Sequence, residues 1–276
     1  MSRTVSRGVG FTALVAGVAV GVLLLGTYGA ILGVLITMVG FQMLTRGVEG
    51  APYIVAGVSA TAGLALVAWK HGLSWTDIGL GRSTWVTGAL WSVGIVVLVG
   101  TAIGIAGAVP RLHHLFADDR ITEVSGAETA RKALLDIPLG TVLIEEFAFR
   151  GVMLALVSTL TSTTWAVVVT SVLFGLWHIS PALEMHDSHN ATTGNSWITV
   201  VGTVFFTGLS GVGFALLRLF TGSLFPPAAL HWAANGTGVV VGWVVHNVTT
   251  RIVEIEEHHH HDHDHDHDGP APASDA

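Results

Sequence analysis

Unbroken apolar stretches of about 17 residues or more recur along this chain, each long enough for a helix to cross a hydrocarbon layer of about 30 Å. Eight can be counted, at about 9–26, 28–44, 51–69, 84–109, 134–160, 164–179, 197–220 and 226–247. Polar breaks separate them. Residues 70–82 carry Ser74, a candidate N-cap, and Trp75, a candidate interfacial anchor, and predict a short helix at a membrane surface. Residues 110–132 are the most charge-dense break in the body and predict an extramembrane loop; 181–196, with Glu184, His186, Asp187 and His189, predicts another. Pro138 marks the entry or a kink of the fifth span, and Pro226 and Pro227 suit the first turn of the eighth. The first apolar run leads straight into the second with no polar mature segment between them, so it reads as a retained anchor rather than a signal peptide.

Composition agrees with the pattern. The 276 residues are 51% hydrophobic and only 11% charged, with mean hydropathy +0.65 and 34 glycines that suit close helix packing in lipid. The expected fold class is therefore all-α, a polytopic transmembrane bundle of about eight spans, with a transmembrane domain over 1–252 and a tail over 253–276. The net charge of −7 does not describe the body: residues 1–250 carry 11 Lys and Arg against 11 Asp and Glu, and the acidic excess lies in the last 26 residues. Nothing basic enough for nucleic acid is present. With no cysteine, thiolate nucleophiles and cysteine metal sites are excluded.

Eight spans return both termini to one side. The loops on that side hold Arg3, Arg7, Arg46, Arg111, Arg120, Arg131, Lys132 and Arg251, against Lys70, Arg82 and Arg218 on the other, which predicts cytoplasmic termini in a plasma membrane.

Candidate chemistry sits inside the spans. The fifth holds Glu145, Glu146 and Arg150, and a charge at the centre of a membrane helix costs about 3 kcal/mol or more. Glu146 and Arg150 stand four apart on one face and can pair. Glu145 lies about 100° around the helix, without that partner and free to point into a cavity. A structural ion pair with a spare polar residue is the plainer alternative. Phe174 and His178 share a face of the sixth span, as do His231 and Asn235 in the eighth. Taken singly, the first is an interfacial histidine and the second a packing contact. By helix rise, Glu145, His178 and His231 fall within roughly 10 Å in depth, so they can share one cavity.

Glu-Glu-x-x-x-Arg at 145–150, Phe-x-x-x-His at 174–178 and His-x-x-x-Asn at 231–235, in that order and on separate helices, resemble the CPBP family. That family includes type II CAAX prenyl endopeptidases and the Abi proteins of bacteriocin processing and immunity, in bacterial or archaeal-type membranes among others. The resemblance covers about 134–248, and the Gly-Leu-Ser-Trp-Thr-Asp-Ile-Gly-Leu-Gly run at 72–81 is a weaker echo upstream. It implies an intramembrane endopeptidase for a membrane-associated peptide or protein. Glu145 would activate water with Glu146 beside it, and His178, His231 and Asn235 would bind or polarise the peptide.

A metal version uses the same residues, with His178, His231 and Glu145 as ligands of a divalent ion, zinc by preference. The tail adds His258, His259, His260, His261, His263, His265 and His267, alternating with aspartates from Asp262 on, and predicts a disordered segment that binds metal loosely. Two other classes compete: a non-enzymatic immunity or scaffold member of the same fold, and a divalent-cation permease with a histidine-rich reservoir. The halves of the chain show no repeat, which weighs against the permease.

Overall fold

The structure, a computed structural model, describes residues 3–24, 26–116, 124–187 and 196–265, and among these it is helical with no strand. We number its helices α1 (Arg3–Leu23), α2 (Thr27–Thr45), α3 (Ala51–Lys70), α4 (Trp85–Gly107), α5 (residues 126–158), α6 (Thr163–Trp177), α7 (Ile179–Asp187), α8 (Ser196–Thr221) and α9 (Phe225–His265). Seven are long and apolar enough to cross a membrane, counting α6 with the α7 turns that continue it. The eighth expected span is α5, which is built differently.

α5 alternates α-helical turns with two π-helical segments, Lys132–Val142 and Phe147–Met153. It starts earlier than the charge pattern suggested, because Ser125 and Glu128 form a reciprocal capping box inside what reads as loop. Pro138 lies within the first π segment rather than at its edge. A proline has no N–H to give, and in a π register that missing donor leaves the carbonyl five residues back, Ala133, without its partner. The indole N–H of Trp232 on α9 fills the gap, donating to the Ala133 carbonyl at 2.8 Å. The same helix start is tied to the α2–α3 link, since Asp136 Oδ2 accepts from Arg131 Nη1 at 2.7 Å and from the Gly50 amide at 3.3 Å.

Every residue from Ile144 to Leu154 is buried, so this stretch of α5 is the axis of the bundle and has no lipid face. Around it pack Val34, Met38 and Phe41 of α2, Leu64 and Val67 of α3, Phe174 of α6 and Phe214 of α8. α1 rides on α2 at backbone contact, where a side chain at Gly33 would meet the backbone of Gly21. α4 is peripheral: it packs on α9, and Gly88 is its buried residue.

Two expected loops are partly helical. Ile179–Asp187 forms α7, with Pro181 in its first turn where a missing N–H is tolerated, while 188–195, including His189, lies outside the described residues. The surface helix expected at 70–82 is instead a chain of turns, because Gly72 and Gly79 adopt positive φ and break any helical run. Ser74 does act as the expected cap, but of a turn: its amide and hydroxyl both donate to Asp77 Oδ2 at 2.7 Å, which holds the Asp77 carboxyl below its ordinary range. Arg218 of α8 donates to the Thr76 and Asp77 carbonyls, and Ile78 is driven into the core against Gly151. At the other end, α9 stays helical through His265, past the boundary at 252 where a disordered tail was expected. Extending an existing helix needs no new nucleus. His267 lies outside the described residues.

Trp232→Phe should lower thermal stability in detergent by about 1–3 kcal/mol by stranding the Ala133 carbonyl. In a Pro138→Ala background, where residue 138 regains an N–H, the same change should cost measurably less. Equal costs in both backgrounds, measured by thermal unfolding as a double-mutant cycle, would remove the link between the two residues.

Candidate active site

The α-helical turn Leu143–Glu146 lies between the two π segments of α5 and carries both glutamates into the interior. Glu146 is 1% exposed, and one oxygen does most of its work: Oε1 accepts from Arg150 Nη1 at 3.1 Å and from His231 Nδ1 at 2.8 Å. The pair expected between Glu146 and Arg150 is therefore present, and α9 supplies a third member. The Arg150 guanidinium stacks on aromatic faces, its Cζ 3.8 Å from the Phe174 ring centre and 4.8 Å from that of Phe214. His231 lies nearly parallel to Phe214, 5.4 Å between ring centres. An ionised carboxylate can only accept, so His231 presents Nδ1–H to Glu146 and turns Nε2 toward Glu145.

Glu145 is also buried, at 6% exposure. As its helical phase suggested, it lacks the Arg150 partner and lines a cavity, but a different helix supplies a donor: Oε1 accepts from the indole N–H of Trp177 at 2.9 Å. Its other oxygen, Oε2, is buried with no hydrogen-bond partner and stands 4.0 Å from His231 Nε2. That separation is too long for a direct hydrogen bond.

Glu145 forms part of the wall of a cavity of about 450 Å³ shared with Tyr53, Thr141, Trp177, His178 and Asn235. From there the cavity reaches the α2–α3 link at Arg46–Glu49 and Lys132 at the head of α5. His178 caps the end of α6, and its Nδ1–H donates to the Phe174 carbonyl at 2.8 Å, which leaves Nε2 as the acceptor of a neutral ring. It shares the cavity with Glu145 without hydrogen-bonding to it. Asn235, one turn beyond His231 on α9, is exposed into the same space.

The structure thus gathers Glu145, Glu146, Arg150 and His231 tightly, with His178 and Asn235 on the cavity wall. The expected three-ligand metal set is not assembled. Glu145 Oε2 and His231 Nε2 face one another, and the Glu146–His231 contact is the kind of outer partner that orients a metal-binding imidazole. Yet among the described residues no three His, Asp or Glu side chains lie close enough to hold one ion. The side chains of the tail histidines lie outside the described residues.

Sequence reasoning missed Trp177, Tyr53, Gln42 and Phe214. Trp177 adjoins His178 and was open to notice as an N–H donor in an apolar span. Tyr53, whose hydroxyl meets Thr141 Oγ1 at 2.8 Å, comes from α3, far from every motif, and carried no signal.

With this geometry in place the comparisons are direct. Residues 131–237 match the family model described as Type II CAAX prenyl endopeptidase Rce1-like. The match supports the assignment of this part of the chain to the CPBP family. The matched region contains all seven motif residues from Glu145 to Asn235, and it leaves α1 to α4 and the tail outside. No curated protein and no solved structure matches the chain.

Removing the guanidinium leaves the Glu146 carboxylate buried with half of its support. Arg150→Ala should destabilise the protein by about 3–5 kcal/mol, read as a lower unfolding temperature in detergent. An unfolding temperature equal to that of the unaltered protein would show that the pair does not hold the bundle together.

Proposed function

We propose that this protein is an intramembrane endopeptidase that hydrolyses a peptide bond of a membrane-associated substrate with a water activated by Glu145. One observation carries the reading: a buried carboxylate oxygen without a partner, Glu145 Oε2, lies 4.0 Å from the free nitrogen of an oriented imidazole, in a residue that lines a cavity of about 450 Å³. The match of residues 131–237 to the Rce1-like family model supports it.

In this mechanism Glu145 takes a proton from water as the water oxygen adds to the scissile carbonyl carbon. The negative charge that develops on the carbonyl oxygen is met by the Asn235 amide and by His231. For this His231 carries a proton on Nε2, the nitrogen that faces Glu145, while Nδ1–H stays on Glu146. Glu145 then returns its proton to the leaving amine as the C–N bond breaks, which restores the carboxylate. With His231 protonated, two carboxylates and two cations balance, so the site starts the reaction with no net charge. Termini on the cytoplasmic side, as the charge count expects, would open the cavity to that side through the α2–α3 link.

A divalent metal, were one bound, would take Glu145 Oε2 and His231 Nε2 and supply Lewis-acid polarisation of the carbonyl. No step above needs it. The immunity or scaffold reading keeps this fold without the reaction. The permease reading is disfavoured by Arg150, which places a fixed cation within 3.1 Å of the carboxylate a transported cation would need.

Glu145→Gln should lower turnover by at least about 100-fold, with membrane insertion and unfolding temperature unchanged. Comparing membrane-bound peptides from cells that make the unaltered or the Glu145→Gln protein both finds substrates and tests the reading. Identical peptide profiles, or full turnover by the purified variant, would overturn it.

Metal dependence is checked on protein cut back to residue 257, with and without His231→Ala. With only two donors in range, we expect less than one tightly held zinc per chain and cleavage that survives chelation. One zinc per chain, lost with His231→Ala together with cleavage, would make the enzyme a metallopeptidase and overturn this expectation.

A further inference from the structure

We infer that Trp177 is a positioning residue for hydrolysis: its indole N–H fixes one oxygen of Glu145 so that only the other takes and returns the proton. The inference rests on the peptidase reading above and deepens it.

A glutamate carboxylate has two equivalent oxygens on a soft, roughly two-fold torsion, so in an open cavity they exchange places. Here they are not equivalent. Oε1 accepts from Trp177 Nε1 at 2.9 Å, and Oε2 is buried and unpartnered, facing His231 Nε2 at 4.0 Å. An indole nitrogen only donates and cannot take a proton from the acid form of Glu145. A carboxylic proton on Oε1 would leave the Trp177 N–H a hydroxyl oxygen, a poorer acceptor than the carbonyl oxygen it keeps when the proton sits on Oε2. The proton abstracted from water therefore resides on Oε2, the oxygen that faces His231. Trp177 thus decides which oxygen is basic and where the acid proton waits.

The tryptophan is itself held in place. It is the last residue of α6, its carbonyl accepts from Gln42 Nε2 at 3.2 Å, and its ring leans on Phe149 with 6.3 Å between ring centres. α2 and α6 are thereby joined to the base of the reaction through one side chain. A buried or half-buried indole usually finds some partner for its N–H. What lifts this contact above that need is its acceptor: a cavity glutamate whose second oxygen is left unpartnered and faces an oriented imidazole.

The test exchanges the N–H alone. Purified full-length protein carrying β-(3-benzothienyl)alanine at 177, introduced by stop-codon suppression, keeps the ring's shape and loses the donor; Trp177→Phe is the cruder companion. With a substrate found by the peptide comparison, we expect kcat to fall by about 10- to 100-fold and KM to stay within about twofold, because the bound ground state is untouched. The unfolding temperature should not move, and in the Glu145→Gln background the exchange should have no further effect. An unchanged kcat, or a loss confined to KM, would overturn the inference. A second arm needs no turnover: infrared difference spectra with carbon-13 glutamate should show a Glu145 carboxylate band that shifts in the sulfur variant and is absent from Glu145→Gln. No shift would likewise overturn it. Absence of any Glu145-dependent cleavage in the unaltered protein, with the band shift present, would instead remove the peptidase reading and leave the hydrogen bond standing.

Discussion

The Glu146 carboxylate, sealed in the middle of the bundle, is the constraint on which the surrounding structure depends. An ion at 1% exposure is tolerated only when its charge and its lone pairs are met on the spot. Arg150, one turn on, meets part of that need, and its own charge then requires the faces of Phe174 and Phe214. His231 meets the rest and is oriented in doing so. Four helices, α5, α6, α8 and α9, are therefore joined by one buried charge. The orientation it imposes on His231 is the orientation the proposed chemistry uses.

The architecture of α5 follows from the same demand. A helix buried on every side cannot send its charges to the interface, so its partners must come to it from neighbouring helices. Two π segments flank the glutamate turn, and such wide turns recur at functional sites because they re-aim side chains without ending the helix. Pro138 shows how the local cost is met, since the carbonyl it strands is satisfied across the interface by Trp232. The 71–81 turns close the far side, with Arg218 gripping two of their carbonyls and Ile78 filling the space beside Gly151. The glutamate turn is thus fixed from both ends.

Lipid accounts for the rest of the shape. α1 and α2 approach at backbone distance through glycines, whereas α4 meets little besides α9. In a bilayer an exposed apolar helix face carries no penalty, so a peripheral helix of this kind is stable without a second neighbour.

The sequence by itself determined the class, the approximate spans and the motif residues. Length of apolar run and the cost of intramembrane charge are local properties, readable at Glu145, Glu146 and Arg150 without knowing any neighbour. It also determined the Glu146–Arg150 pair, because four residues on a helix are neighbours whatever the fold. It could not determine that α7 would replace part of a polar loop, since Pro181 reads equally as a stop or as a first turn. Nor could it show that His231 would choose Glu146, that His178 would turn to its own helix, or that Trp177 would hold Glu145. Those are contacts between helices 32 to 85 residues apart in sequence, or choices among acceptors within reach. Only the packing of α5 against α6, α8 and α9 decided them, because hydrogen-bond partners in a buried site are fixed by which faces meet.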